Sequence, residues 1–259
     1  MSAPVKVFTN SLMAYVSAFI LTTIIHESGH FLAYRVLGES AVIYHNYVQV
    51  QAQNLTLQIK VIAALAGPVI SLVQGIIFAL IVIKRRKNNA GDLMILWLSL
   101  LGFINFFGYL MLTPLSTDGD TGKVAELLHM PYFLRITIAL IGIAILIIVI
   151  LRIGKYFSAF IPQGKEIVER RKYINSLIIF PIVAGSLINV LLALPVPVFL
   201  SIIYPATSSY VILSAYGVIL KAGVTPASAS LIESKISLHL VLLLLFGILL
   251  NRLFTPGIG

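Results

Sequence analysis

The chain has no cysteine among its 259 residues. Disulfides, thiolate nucleophiles and cysteine-ligated metal sites are thereby excluded. Charge is also scarce: Asp, Glu, Lys and Arg make up 10% of the sequence, against about a quarter in a soluble domain. Acidic side chains are rarest, nine against 18 Lys and Arg, for a formal net charge of +9. No basic stripe with interleaved aromatics accompanies that charge, so no nucleic-acid partner is expected. There is no internal repeat, no low-complexity tract and no polar stretch long enough to form a soluble domain.

What fills the chain is apolar: 59% of its residues, in runs of the length that crosses a bilayer. A hydrocarbon core of ~30 Å needs about 20 helical residues. Spans are expected at about 11–37, 58–83, 92–113, 132–151, from Ile174 onward, and at 236–254. Pro195 and Pro197 make 195–220 ambiguous between a separate span, a re-entrant piece and an extension of the fifth. The expected fold is an all-α multi-pass membrane protein of about six transmembrane helices, seven possible. Residues 223–235, with Gly223, Pro226 and several Ser, read as an exposed loop. The N-terminal run after Lys6 exceeds signal-peptide length without a clear cleavage site, so it is expected to be retained.

Between the first two spans, Val48-Gln49-Val50-Gln51-Ala52-Gln53 alternates apolar and polar with period two. That is a strand pattern, so a short β-strand or hairpin is expected near residues 42–53. Its exposed edge, at Val48, Gln49, Val50 and Gln51, can accept an extended peptide by strand addition.

The chemistry-bearing motif is His26-Glu27-Ser28-Gly29-His30. Residues four apart on a helix share one face. Two imidazoles so placed can bind one metal ion, with Glu27 beside it as general base. Three ionisable groups within five positions of an apolar span are costly, at ~2.5–3.5 kcal/mol for a charged residue at mid-helix. A shared ion would satisfy them. A catalytic zinc takes three protein ligands and leaves one position for water. His45, His129, His239, Glu126, Asp118 and Asp120 are the candidates for the third. Membrane depth favours Asp118, just past the exit of the third span, which runs in the same direction as the first. His239 competes, because the last span is expected to begin on that side. Gly67-Pro68, early in the second span, lies at the depth of the imidazoles. Gly67 permits close approach and Pro68 removes a helical hydrogen bond, so both can shape the site.

His26-Glu27-Ser28-Gly29-His30, Ala66-Gly67-Pro68 and Pro114-Leu115-Ser116-Thr117-Asp118-Gly119 occur in that order on three consecutive spans. Together they resemble the site-2 protease family of intramembrane zinc metalloproteases, over roughly residues 11–125. The resemblance implies one Zn2+ per chain held by His26, His30 and Asp118, with Glu27 as base. It also implies a transmembrane protein substrate, cleaved in or near its membrane segment. Residues 1–130 would then be a three-helix catalytic core and 131–259 additional transmembrane helices. The chain departs from the family where an Asn usually precedes the Pro of the Asp-Gly segment; the nearest here is Asn105. Ser71 replaces the Asn that commonly follows Ala-Gly-Pro, and Asp120 is close enough to stand in for Asp118. The alternatives are a metal-binding transporter or sensor without proteolysis, and an inactive protease-like scaffold.

Lys and Arg concentrate at 84–89 and 152–173, two spans apart and hence on one side, with Lys6. By the positive-inside rule the N-terminus and the 84–89 loop are cytoplasmic. That puts the motif towards the opposite face, whereas the resembled family usually works nearer the cytoplasm. Single cysteines introduced by Gln49→Cys and Arg86→Cys decide the facing. The expected outcome is that position 86 reacts with a membrane-impermeant maleimide only after the cytoplasmic side is opened, and position 49 in intact cells.

Overall fold

A computed structural model describes residues 1–85, 88–162, 164–222 and 231–259. Most of the loop expected at 223–235, and Arg86-Lys87 of the basic loop, lie outside the described residues. Helix α1 runs Ala3–Val36, with Pro4 in its first turn. A hairpin follows, of β1 (Ala41–Ile43) and β2 (Val48–Val50). Then come α2 (Leu57–Arg85), α3 (Ala90–Leu112), the short α4 (Asp120–Leu127) and α5 (Tyr132–Gly154), which tightens into a 3₁₀ turn at Lys155–Phe160. Next are α6 (Ile167–Ile174), a π-turn at Asn175–Ile179 and α7 (Phe180–Ala193). The remainder is α8 (Leu200–Thr207), a 3₁₀ stretch at Ser208–Ala215, α9 (Tyr216–Lys221), the single turn α10 (Leu231–Ser234) and α11 (Leu238–Phe254).

Among the described residues six helical segments are long and apolar enough to cross a membrane. They are Ala3–Val36, Leu57–Arg85, Ala90–Leu112, Tyr132–Phe160, Ile167–Ala193 and Leu200–Lys221. The protein is thus a multi-pass membrane protein of mainly helical fold. The ambiguous region after Pro197 forms the sixth of these. The expected last span, α11, is a shorter apolar helix of 17 residues. Large apolar side chains such as Leu140, Leu187 and Leu191 stay more than 60% exposed on the outer faces of α5 and α7. Such a surface suits lipid rather than water.

Helix α1 is the axis of the bundle, packed by α2, α3, α7 and α11. Its buried residues lie on all sides, which is why it shows no single apolar stripe. Gln74 of α2 ties three helices, donating to Thr22 Oγ1 at 2.8 Å and to the Leu98 carbonyl at 2.9 Å. Helices α2 and α3 touch at Gly75 and Gly102; a Cβ on Gly102 would lie 2.7 Å from the Gly75 nitrogen. Small residues at such crossings let membrane helices pack without a hydrophobic driving force. Pro181 lacks the N–H that would bond the carbonyl four residues back, that of Leu177. Ser11 of α1 donates to that carbonyl and accepts from Trp97 Nε1 at 3.1 Å. One hydroxyl thus compensates for a proline and joins α1, α3 and the π-turn.

The hairpin is shorter than the alternation suggested. Strand pairing ends at Val50, and the Gln51 amide donates to the Ser40 carbonyl. Ile258 bridges to Ile43 on the far edge of β1, so among the described residues the outer edge of β2 is the one left open. Contacts also fix helix directions. Asn10 near the start of α1 donates to the Ile232 and Lys235 carbonyls and accepts from the Ser237 amide, just before α11. At the other end, the hairpin meets the end of α7, where Asn46 donates to the Ala193 carbonyl at 2.8 Å. Arg252, near the end of α11, donates to the Leu194 carbonyl at 3.1 Å. α1, α7 and α11 therefore run the same way.

The second half thus packs on the same central helix as the first. A side chain at Gly185 of α7 would collide with the Tyr15 ring of α1. Gly185→Val is expected to cost about 1–3 kcal/mol, seen as a lower unfolding midpoint in detergent, with His26 and His30 untouched.

Candidate metal centre

His26, Glu27 and His30 lie in the last third of α1, all buried. At this level α1 and α2 are in near contact. A Cβ on Gly29 would sit 2.7 Å from the Ala66 carbonyl oxygen, and one on Gly67 would overlap His30 Nε2 and lie 2.8 Å from His26 Nε2. The Ala-Gly-Pro element therefore has a steric reason: a side chain at Gly67 would occupy the space between the two imidazoles. Pro68 is buried inside α2 one residue on.

Each imidazole is fixed by a partner on α2. His30 Nδ1–H donates to the Ala63 carbonyl at 2.7 Å. Ser71 gives its only hydrogen to the Gly67 carbonyl at 3.1 Å, so at 3.2 Å it accepts from His26 Nδ1–H. With both Nδ1 positions protonated, both Nε2 atoms present lone pairs. Tyr109 of α3 stacks on the His26 ring, centroids 5.0 Å apart and planes within 6°.

The third group is Asp120, and this corrects the expectation of Asp118. His26 Nε2 lies 3.0 Å from Asp120 Oδ2, His30 Nε2 lies 3.3 Å from the same oxygen, and the two Nε2 atoms are 3.0 Å apart. Asp118 lies on the rim of the same cavity but is exposed, its amide turned to Ser116 Oγ. The difference of two residues follows from how α4 is anchored. Thr121 Oγ1 donates to the Tyr109 carbonyl at 2.6 Å and accepts from Thr113 Oγ1 at 2.8 Å. Gly122 packs directly on the Ser116 carbonyl, where no Cβ would fit. The first turn of α4 is thereby pinned to the end of α3, and its first residue, Asp120, faces the imidazoles.

The arrangement passes a simple test for a cation. Three lone-pair atoms within 3.3 Å of one another repel unless a positive charge lies among them. A tetrahedral ion with bonds of ~2.0–2.1 Å separates neighbouring ligands by about 3.3 Å, close to the three distances found. The triad His26, His30 and Asp120 can therefore hold a metal ion.

The other candidates are elsewhere. Glu126 and His129 are exposed at the end of α4 and just beyond it. His239 is exposed at the start of α11, beside Asn10 rather than His26. That is about 24 Å away along α1, because α11 begins at the opposite end from the one expected. His45 reaches the cavity but donates its Nε2–H to the Ala193 carbonyl.

A cavity of about 210 Å³ opens beside the triad, lined among others by Glu27, Asn105, Tyr109 and Val48 of β2. Ser71 and Asn105 are the residues that sequence reasoning undervalued. Ser71 is one turn from Gly67 on the same face of α2, a spacing that could have flagged it. Asn105 Oδ1 is buried at the cavity with no hydrogen-bond partner among the described residues.

Comparison with family profiles, curated proteins and solved structures found no match to this chain.

The ligand assignment is testable by elemental analysis of purified protein. Asp120→Ala is expected to drop bound metal well below one ion per chain, and Asp118→Ala to leave it unchanged. Gly67→Val should also empty the site, since its side chain would fill the ion's place.

Proposed function

We propose that this protein is an intramembrane zinc metalloprotease of the site-2 type, hydrolysing peptide bonds in or near transmembrane segments of membrane-protein substrates. One observation carries this reading: His26, His30 and Asp120 converge within 3.3 Å inside an apolar bundle, and the adjoining Glu27 lines the same cavity. Two imidazoles and a carboxylate form a donor set suited to zinc. Zinc bound there would polarise a water and lower its pKa towards ~7.

The protein's own groups account for the rest of the reaction. Glu27 accepts the water proton, the water oxygen bonds the scissile carbonyl carbon, and the carbon–nitrogen bond breaks. Glu27 then delivers the proton to the leaving amine. Ser71 and the Ala63 carbonyl hold the imidazoles in the tautomer that leaves both Nε2 atoms free. A helical substrate hides its peptide groups, so the segment to be cut must be extended when it reaches the cavity. The open edge of β2, with Val48 at the cavity wall, suits an extended segment added as a strand.

A transporter or sensor could use the same three ligands, but it has no use for a buried acid beside them. Glu27→Gln separates the readings. The substituted protein is expected to keep its zinc and to lose at least about 100-fold in cleavage of a reconstituted transmembrane reporter, the lower range for a general base. Cleavage at the wild-type rate would reject the protease reading.

A further inference from the structure

Two helices of the second half, α7 and α11, each place an asparagine in the wall of the same cavity as the triad: Asn189 and Asn251. Both are buried, at 3% and 6% exposure. Among the described residues the Oδ1 atoms of Asn189 and Asn251 have no hydrogen-bond partner, while the amide N–H of Asn189 faces the Tyr15 hydroxyl. Beside them His45 Nδ1 and Asn46 Oδ1, at the hairpin tip, are also unpartnered. A buried polar atom left unpaired is destabilising by about 1–3 kcal/mol, so native proteins rarely keep several in one place. Their clustering on one wall suits a ligand with hydrogens to donate.

The chemistry of that ligand can be read from the atoms. All of these groups lack formal charge in their neutral form, so neither an anion nor a cation is matched by charge. The four unpartnered atoms are all acceptors, since His45 Nε2 carries the hydrogen that goes to Ala193 and leaves Nδ1 with a lone pair. A row of N–H groups is what an extended polypeptide main chain presents along one edge. We infer that Asn189 and Asn251 bind the main chain of a peptide segment lying across the metal centre, making the second half of the protein part of the substrate site. This rests on the proposed protease reading, and it concerns residues outside the three motifs that suggested it.

The test uses two metal-anchored probes on the purified, zinc-loaded full chain. Acetohydroxamate has only the anchor; a dipeptidyl hydroxamate adds main-chain N–H and C=O groups. Wild-type protein is expected to bind the peptidyl probe at least about tenfold more tightly than acetohydroxamate. Asn189→Leu and Asn251→Leu, close in volume, should each weaken the peptidyl probe about three- to tenfold and leave acetohydroxamate unchanged. If a Leu variant misfolds and loses both probes, Asn189→Ser and Asn251→Ser carry the same comparison. Unchanged peptidyl affinity in both variants, or no wild-type preference for the peptidyl probe, overturns the inference while the metal centre stands. Failure of wild-type protein to bind either probe overturns the metal centre itself, and this inference with it.

Discussion

Two imidazole nitrogens and a carboxylate oxygen meet inside the bundle within 3.3 Å of one another, a spacing that requires a positive charge, a metal ion or a shared proton, among them. Much of the local structure serves that constraint. Ser71 and the Ala63 carbonyl take the Nδ1 hydrogens and so leave both Nε2 atoms as acceptors. Gly29 lets α1 pack against the Ala66 carbonyl and the Ile70 side chain of α2, and Gly67 leaves room for the two imidazoles. Thr113 and Thr121 lock the first turn of α4 so that Asp120 completes the set. In a medium that cannot solvate a stray charge, each of these contacts matters more than at a water-exposed surface.

The bundle built around this site is organised by one helix. α1 is packed by both halves of the chain, so the second half completes the walls of the cavity that the first half begins. α1, α7 and α11 run in the same direction, and the polar residues at issue fall near the same end of each: His26 and His30, Asn189, Asn251. α3 brings Asn105 and Tyr109 to that cavity as well. The hairpin closes this end by hydrogen bonds from His45 and Asn46 to α7. The opposite end is tied by Asn10 to the segment before α11. Polar chemistry is thus concentrated at one membrane level, while the lipid-facing surface of the bundle is lined by Leu and Ile.

The strongest signals in the chain are local ones. Apolar run length announces membrane helices without reference to what they pack against, because the bilayer sets the length. The pairing of His26 with His30 is equally local, since helical periodicity alone puts them on one face. The strand pattern at 48–53 is legible but overruns, because alternation does not say where the ladder ends; its last hydrogen bond runs from the Gln51 amide to the Ser40 carbonyl. The region after Pro197 was ambiguous because prolines interrupt the apolar run, and only packing against α5 and α7 makes Leu200–Lys221 a helical segment of spanning length.

By itself, then, the sequence determined the membrane-spanning class, the helical imidazole pair with Glu27, and the proximity of Gly67 in depth. Each follows from a period or a length carried by consecutive residues. Only the tertiary structure decided that Asp120 rather than Asp118 joins the pair, that His239 lies at the far end, and that Asn189 and Asn251 face the same cavity. Those facts depend on how separate helices are anchored to one another. Side-chain bonds such as Thr121 to the Tyr109 carbonyl set that anchoring, and no periodicity along the chain encodes it.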